Sequence, residues 1–212
     1  MKGLVMATML EAKPLVEALS LAPVAGGPCR VYRGDGIVLA VSGIGKVNAG
    51  VALAYLAVKH GVRVAVNLGA AGSTSGNLGL GDIRHVNRIV EYDRPHIMGR
   101  EMRVTRPDTL PGFETASLAT QDVPVIEPEL RGAMAAYAEL VDMEGAAVLQ
   151  AAGMFGIPCY LFKIVSDTPA HVADRDIVDN IRAVREALCG FFSGRVLQAL
   201  PDGGEEFAVD HA

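Results

Sequence analysis

The chain has 212 residues and a mass of 22.2 kDa, which fits one compact domain. Half of its residues are hydrophobic, 20% are charged and the mean hydropathy is +0.31, a composition that excludes disorder and carries more apolar surface than a lone soluble monomer needs, so part of it is expected to face a partner subunit. Nineteen Lys and Arg against 24 Asp and Glu give a net charge of −5, and aromatic residues are scarce with no Trp, which weighs against nucleic acid or an anionic membrane surface as partner and leaves a small molecule.

Taken in chain order, the apolar run Leu4–Ala7 predicts a first buried strand; it is too short and lacks the cleavage pattern of a signal peptide. A second strand is expected over Ile37–Val41. Over Lys46–His60 the residues Val47, Val51, Ala54 and Val58 recur at helical spacing, and Gly61 supplies the stop. A third strand follows at Val64–Leu68, leading into a glycine turn at Gly69-Ala70-Ala71-Gly72. From Arg84 to Pro128 strand and loop signals mix, with turn chemistry around Asp93-Arg94-Pro95 and Pro107–Gly112, and no element is assigned. Gly145–Phe155 predicts a buried helix stopped by Gly156, then a strand at Tyr160–Val165; Gly153, Gly156 and Pro158 break this apolar stretch, so it does not read as a membrane span. A last helix, Arg175–Leu200, is expected to be interrupted or bent near Gly190. Residues 1–200 are thus expected to form a single α/β domain and 201–212 a flexible tail.

Cys29, Cys159 and Cys189 are odd in number, far apart and without metal-ligand spacing, so neither a disulfide framework nor a zinc site is expected, and a reducing cytoplasm is. His85, His96 and His171 read as solvated loop residues, with His171 close enough to Asp167 to reach a pocket rim.

In open α/β sheets ligands bind beyond the carboxyl ends of strands. The residues there are Met9-Leu10-Glu11, Ser42-Gly43-Ile44-Gly45, Gly69–Gly72 and Ser166-Asp167-Thr168-Pro169, so two carboxylates and two glycine segments converge on one rim. Familiar motifs fail there. Gly43-Ile44-Gly45-Lys46-Val47-Asn48 has Asn at the third glycine of a dinucleotide fingerprint, and Gly45-Lys46 has Ala40 and Val47 where a P-loop needs Gly and Ser or Thr. Gly72-Ser73-Thr74-Ser75-Gly76 has Thr at the centre of a would-be nucleophile elbow.

Four segments, in order, carry a resemblance: Ser42–Ala49, Asn67–Gly72 with Gly81-Asp82-Ile83, Val141-Asp142-Met143-Glu144-Gly145-Ala146-Ala147, and Ile164-Val165-Ser166-Asp167. Together they resemble the nucleoside phosphorylase superfamily, and within it the methylthioadenosine/S-adenosylhomocysteine nucleosidases and futalosine hydrolases. The resemblance implies a three-layer α/β/α sandwich around a mixed, twisted sheet, and hydrolysis of the N-ribosidic bond of a purine nucleoside without cofactor or metal. It implies Asp167 as general acid, Glu11 as the base that activates water, Glu144 as acceptor for the ribose hydroxyls with Met143 against the sugar, and Ser166, Ala70, Ala71, Gly72 and Val125 lining the substrate site. A homodimer is expected. Departing purine needs a proton at N7 while the sugar gains oxocarbenium character, and one acid and one base on opposite sides of the bond suffice.

The chain also departs from that pattern. Pro124 stands where the family stacks the base and offers neither ring nor N–H, Ala70 replaces a common Ser or Thr, and the middle is short, so the base and the 5′ substituent stay open. A phosphorylase of the same fold is the alternative; its anion site would have to come from Lys46, Arg84 and Arg88, which form no recognisable cluster in sequence. A non-catalytic nucleoside-binding protein is the other.

Overall fold

The computed structural model describes residues 1–94, 102–171 and 173–202. His96, Pro95 and most of the expected tail lie outside the described residues. The elements in order are β1 (Lys2–Met6), α1 (Met9–Ala18), β2 (Ala22–Val24), β3 (Arg30–Arg33), β4 (Ile37–Val41), α2 (Lys46–His60), β5 (Val64–Ser73), β6 (Ile83–Glu91), β7 (Val104–Thr105), β8 (Thr115–Thr120), α3 (Pro128–Met134), β9 (Leu140–Asp142), α4 (Gly145–Met154), β10 (Cys159–Asp167) and α5 (Asp174–Phe191). A wide π turn, Phe192–Val196, follows α5 and leads into α6 (Leu197–Ala199), which is the interruption expected near Gly190.

Among the described residues one mixed sheet holds all ten strands in the order β10-β6-β8-β9-β5-β1-β4-β3-β2, with β7 on β6. β5 is the hub, running parallel to β1 and β10 and antiparallel to β9. Because β10 pairs both β5 and β6, the path β5-β10-β6-β8-β9 returns on itself as a ring, and the rest of the sheet extends from β1 to β2. Helices cover both faces. Ala49, Ala52, Leu53 and Leu56 of α2 join Ala146, Val148 and Ala152 of α4 in one core, while Ala12 and Leu15 of α1 join Val184, Leu188 and Phe192 in the other.

The stripe Val47, Val51 and Val58 that reveals α2 points outward, at 75%, 49% and 76% exposure, and the core takes the smaller alanine and leucine face instead. Two readings of the sequence are corrected. Gly69–Gly72 is no turn but the continuation of β5, which runs through Ser73. His85 is not solvated: it sits on β6 with 1% exposure, its ring stacked on Phe162 at 4.2 Å between centroids. β6 escaped notice because its register against β8 slips between Val86 and Arg88, which breaks the alternation a strand should show.

The His85 ring is wired as a neutral imidazole. Leu110 N–H donates to Nε2 at 2.9 Å, so Nε2 accepts and Nδ1 carries the proton toward the Leu161 carbonyl, also at 2.9 Å. Burial lowers its pKa from the ordinary 6.5, opposed by the Leu161 bond. A histidine depressed in the fold leaves stability intact above the unfolded value and removes it as pH falls below. Lowering pH from 7.5 to 5 should therefore cost the wild type more melting temperature than it costs His85→Gln, which starts lower but has no ring to titrate; thermal unfolding of both across that range gives the two slopes, and parallel slopes contradict the assignment.

Candidate active site

A cavity of about 250 Å³ opens at the carboxyl ends of β1, β5 and β10. Its wall contains all nine site residues that the resemblance implies: Glu11 and Asp167, then Met143, Glu144 and Ser166, then Ala70, Ala71, Gly72 and Val125. The remaining wall is mostly apolar, with Ile44, Val123 and Pro124 on one side and Ile177 and Ile181 of α5 on another.

Glu11 is held from three sides. Thr8 caps α1, and in return Glu11 Oε2 accepts from the Thr8 hydroxyl at 2.6 Å and its N–H at 3.1 Å, a capping box. Oε1 accepts from Ala70 N–H at 2.8 Å. The helix-start role and a place in the cavity wall therefore coexist in one carboxylate, and Oε1 is the less engaged of its two oxygens.

Asp167 ends β10, paired in register with Gly72. Its Oδ1 accepts from the Ser166 hydroxyl at 2.8 Å, and its Oδ2 from Arg131 Nη2 at 2.5 Å. A Cβ on Gly72 would stand 2.6 Å from Asp167 Oδ2, and one on Gly69 would stand 3.0 Å from Glu11 Oε1. These two glycines are demanded by the approach of two carboxylates to one strand. Their anchor points, Ala70 and Gly72, are two extended residues apart, roughly 7 Å.

Glu144 precedes α4 and reaches across to donate nothing and accept one bond, from Gly45 N–H at 2.8 Å. That amide lies at the start of α2, so a protein carboxylate takes a position where helix starts commonly hold anions. Burial first, then the nearby Asp142, push its carboxyl up from 4.5 to about 7, against the pull of Lys163 and of the Gly45 amide.

Two charged pairs, each joining a wall carboxylate to a cation behind it, had not been singled out. Asp142 and Lys163 meet at 2.8 Å with both side chains 1% exposed; Asp142 also accepts from Gly145 N–H at 2.8 Å and from the Thr120 hydroxyl at 2.6 Å. The signal for this pair was present, since a lysine inside a fully buried strand must meet a carboxylate. Arg131, 1% exposed on α3, pairs Asp167, and nothing in its local sequence marks it.

The cations considered for an anion site are committed elsewhere. Lys46 Nζ lies 2.6 Å from Asp93 and 3.1 Å from Glu91; desolvation pulls its pKa down, but the bonds to these carboxylates prevail and hold it above 10.5. Arg84 pairs Glu114 and Asp82, and Arg88 donates to the Tyr137 carbonyl. His171 Nδ1 accepts from Thr168 N–H at 3.1 Å and is absent from the cavity wall. Among the described residues, no three His, Cys, Asp or Glu side chains gather to hold a metal.

The chain has relatives among known proteins. The family described as the phosphorylase superfamily matches residues 3–138 and 113–197. The chain is 26% identical over 182 residues to the 5′-methylthioadenosine/S-adenosylhomocysteine nucleosidase of Marinomonas sp. (strain MWYL1), covering 73% of this chain and 78% of that protein. It is 24% identical over 168 residues to the aminodeoxyfutalosine nucleosidase of Campylobacter jejuni, covering 68% and 73%. In fold it is similar to the crystal structure of the 5′-methylthioadenosine/S-adenosylhomocysteine nucleosidase from Helicobacter pylori, with a TM-score of 0.83, 20% identity and coverage of 93% and 97%.

The Glu144 environment has a measurable consequence. A carboxyl raised in the fold stabilises below its unfolded value and forfeits that contribution as pH rises through the folded one, here between 4.5 and about 7. Glu144→Gln should accordingly melt higher than wild type at pH 8, with the gap closing toward pH 4.5; a variant that melts lower at pH 8 contradicts the reading.

Proposed function

The chain belongs to the phosphorylase superfamily, and from that premise we propose that it hydrolyses the N-ribosidic bond of a 5′-substituted adenosine or a futalosine-like purine nucleoside, releasing free base and sugar. The observation that carries the reading is the gathering of Asp167, Glu144 and Glu11 on one cavity, with Asp167 and Glu11 anchored at separate points of β5.

The base is addressed from the β10 side. Asp167 gives a proton to N7 of the purine, the electron pair of the C1′–N9 bond passes to the base, and the base leaves neutral. Glu144 accepts the 2′- and 3′-hydroxyls of the ribose, for which its single protein donor leaves lone pairs free, and Met143 packs against the sugar. Carboxylates near C1′ favour the oxocarbenium character that develops there. Glu11 Oε1 takes the proton of a water whose oxygen bonds C1′. Ile177 and Ile181 suit an apolar 5′ substituent. Phosphorolysis finds less support, because Lys46, Arg84 and Arg88 are held by protein partners and the Gly45 amide by Glu144.

We further propose a homodimer and a cytoplasmic site of action. Among the described residues no helix is long and apolar enough to cross a membrane, and all three cysteines are free thiols. The outward stripe Val47, Val51 and Val58 of α2, with the exposed Met154 that ends α4 and Phe155 that follows it, is the apolar surface a second copy would cover. Val51→Glu with Val58→Glu should halve the mass measured by light scattering, and a wild type already monomeric at micromolar concentration overturns the dimer.

The activity itself is tested in phosphate-free buffer with 5′-methylthioadenosine and futalosine as substrates. Free base and a reducing sugar should appear from at least one, and Asp167→Asn and Glu11→Gln should each lower the rate by about 10²-fold or more. A strict phosphate requirement with a sugar 1-phosphate as product moves the protein to phosphorolysis.

A further inference from the structure

Arg131 is among the largest fully buried side chains, at 1% exposure, and it sits behind the cavity wall. Nη2 donates to Asp167 Oδ2 and to the Val125 carbonyl, both at 2.5 Å, and Nη1 donates to the Ser73 carbonyl at 2.7 Å. Those three acceptors belong to the end of β10, the segment between β8 and α3, and the end of β5. One guanidinium therefore ties together three walls of the site. Among the described residues Nε has no partner, so the group is buried with one donor unmet there.

That is an expensive way to fill space. A buried charge pair costs desolvation on both partners, and a leucine or methionine of similar volume would pack α3 against β5 without it. The planar fork does what an apolar side chain cannot: it fixes the orientation of a carboxylate. With Oδ2 turned back to Arg131 and Oδ1 on the Ser166 hydroxyl, the Asp167 carboxyl plane is set from both oxygens. Gly72, whose Cβ would lie 3.1 Å from Arg131 Nη1, leaves room for the pair.

We propose that Arg131 is the positioning residue for Asp167: it orients the carboxyl toward the imidazole edge of the purine and stabilises the negative charge left on it when its proton passes to N7. This rests on the reading of Asp167 as the proton donor. The charge on Arg131 is unchanged throughout; only the Asp167 proton moves, and the carboxylate regains one from solvent after the base departs. Arg131 touches neither substrate nor the reacting atoms.

The test measures binding, which separates orientation of Asp167 from a loss of fold or of chemistry. Two unreactive probes are titrated calorimetrically: a 9-deazapurine nucleoside analogue, which presents an N7–H donor as the protonated base does, and a 7-deazapurine nucleoside analogue, which presents a C–H there. Wild type should prefer the first. Arg131→Met, which keeps volume and removes charge, should lose that preference by roughly tenfold or more while its affinity for the 7-deaza probe stays near wild type. Arg131→Lys, which keeps the charge without the fork, should fall between, and it carries the test if the Met variant does not fold. An unchanged preference in either folded variant overturns the proposal, as does an equal loss for both probes, which is the mark of a purely structural residue. Asp167→Asn is run beside them: if it keeps the wild-type preference, or if wild type has none, then the proton-donor reading fails, and not only the role of Arg131.

Discussion

Four carboxylates, Glu11, Asp142, Glu144 and Asp167, border a cavity of about 250 Å³, and the structure is organised around keeping them there. Like charges so close cannot remain ionised without donors. Asp142 has Lys163, an amide and a hydroxyl; Asp167 has Arg131 and a hydroxyl; Glu11 has two amides and a hydroxyl. Glu144 has the single Gly45 amide, and its carboxyl is lifted to about 7. The least satisfied carboxylate is thus the one with lone pairs to offer a diol, and the donors it lacks from the protein are those the proposed substrate brings.

β5 makes this crowding possible. β1, β10 and β9 all pair with it, so its position is fixed from both edges, and its glycines let Glu11 and Asp167 approach its backbone. Ala70 donates its amide to Glu11, and Ser73 lends its carbonyl to Arg131, so a run of four residues touches both ends of the site. The charged groups outside the cavity serve the same geometry. Lys46 bonds Glu91 and Asp93, its amide donates to Asp122, and the Asp122 amide donates to Asp93, which fastens the start of α2 to the segment carrying Val123 and Val125.

Much of this was legible before any coordinates. Strong apolar runs marked β1, β4, β5 and β10, whose carboxyl ends lead to Glu11, Ala70, Ala71, Gly72, Ser166 and Asp167 on one rim, and the resemblance of four segments supplied Met143, Glu144 and Val125. What escaped has physical causes. β6 and β8 mix His85, Asn87, Thr115 and Ser117 into their runs, and the slip at Asn87 spoils their period. His85 looked solvated because neither the Phe162 ring beneath it nor the Leu110 amide is near in sequence. Gly69–Gly72 looked like a turn because glycine needed for close approach and glycine needed for a bend are identical in a sequence. Arg131 was invisible for a related reason: two of its three partners, Asp167 and Ser73, lie 36 and 58 residues away, and one buried arginine on a short helix reads as one more surface charge.

The most direct measurement is a crystal structure of the protein with an unreactive 5′-thio-substituted 9-deazaadenosine analogue. The account predicts the base edge at Asp167, with N7–H donating to its carboxylate, both ribose hydroxyls on Glu144, and C1′ facing Glu11 Oε1. A ligand bound with its sugar away from Glu144, or with its base at the Glu11 end of the cavity, would contradict it.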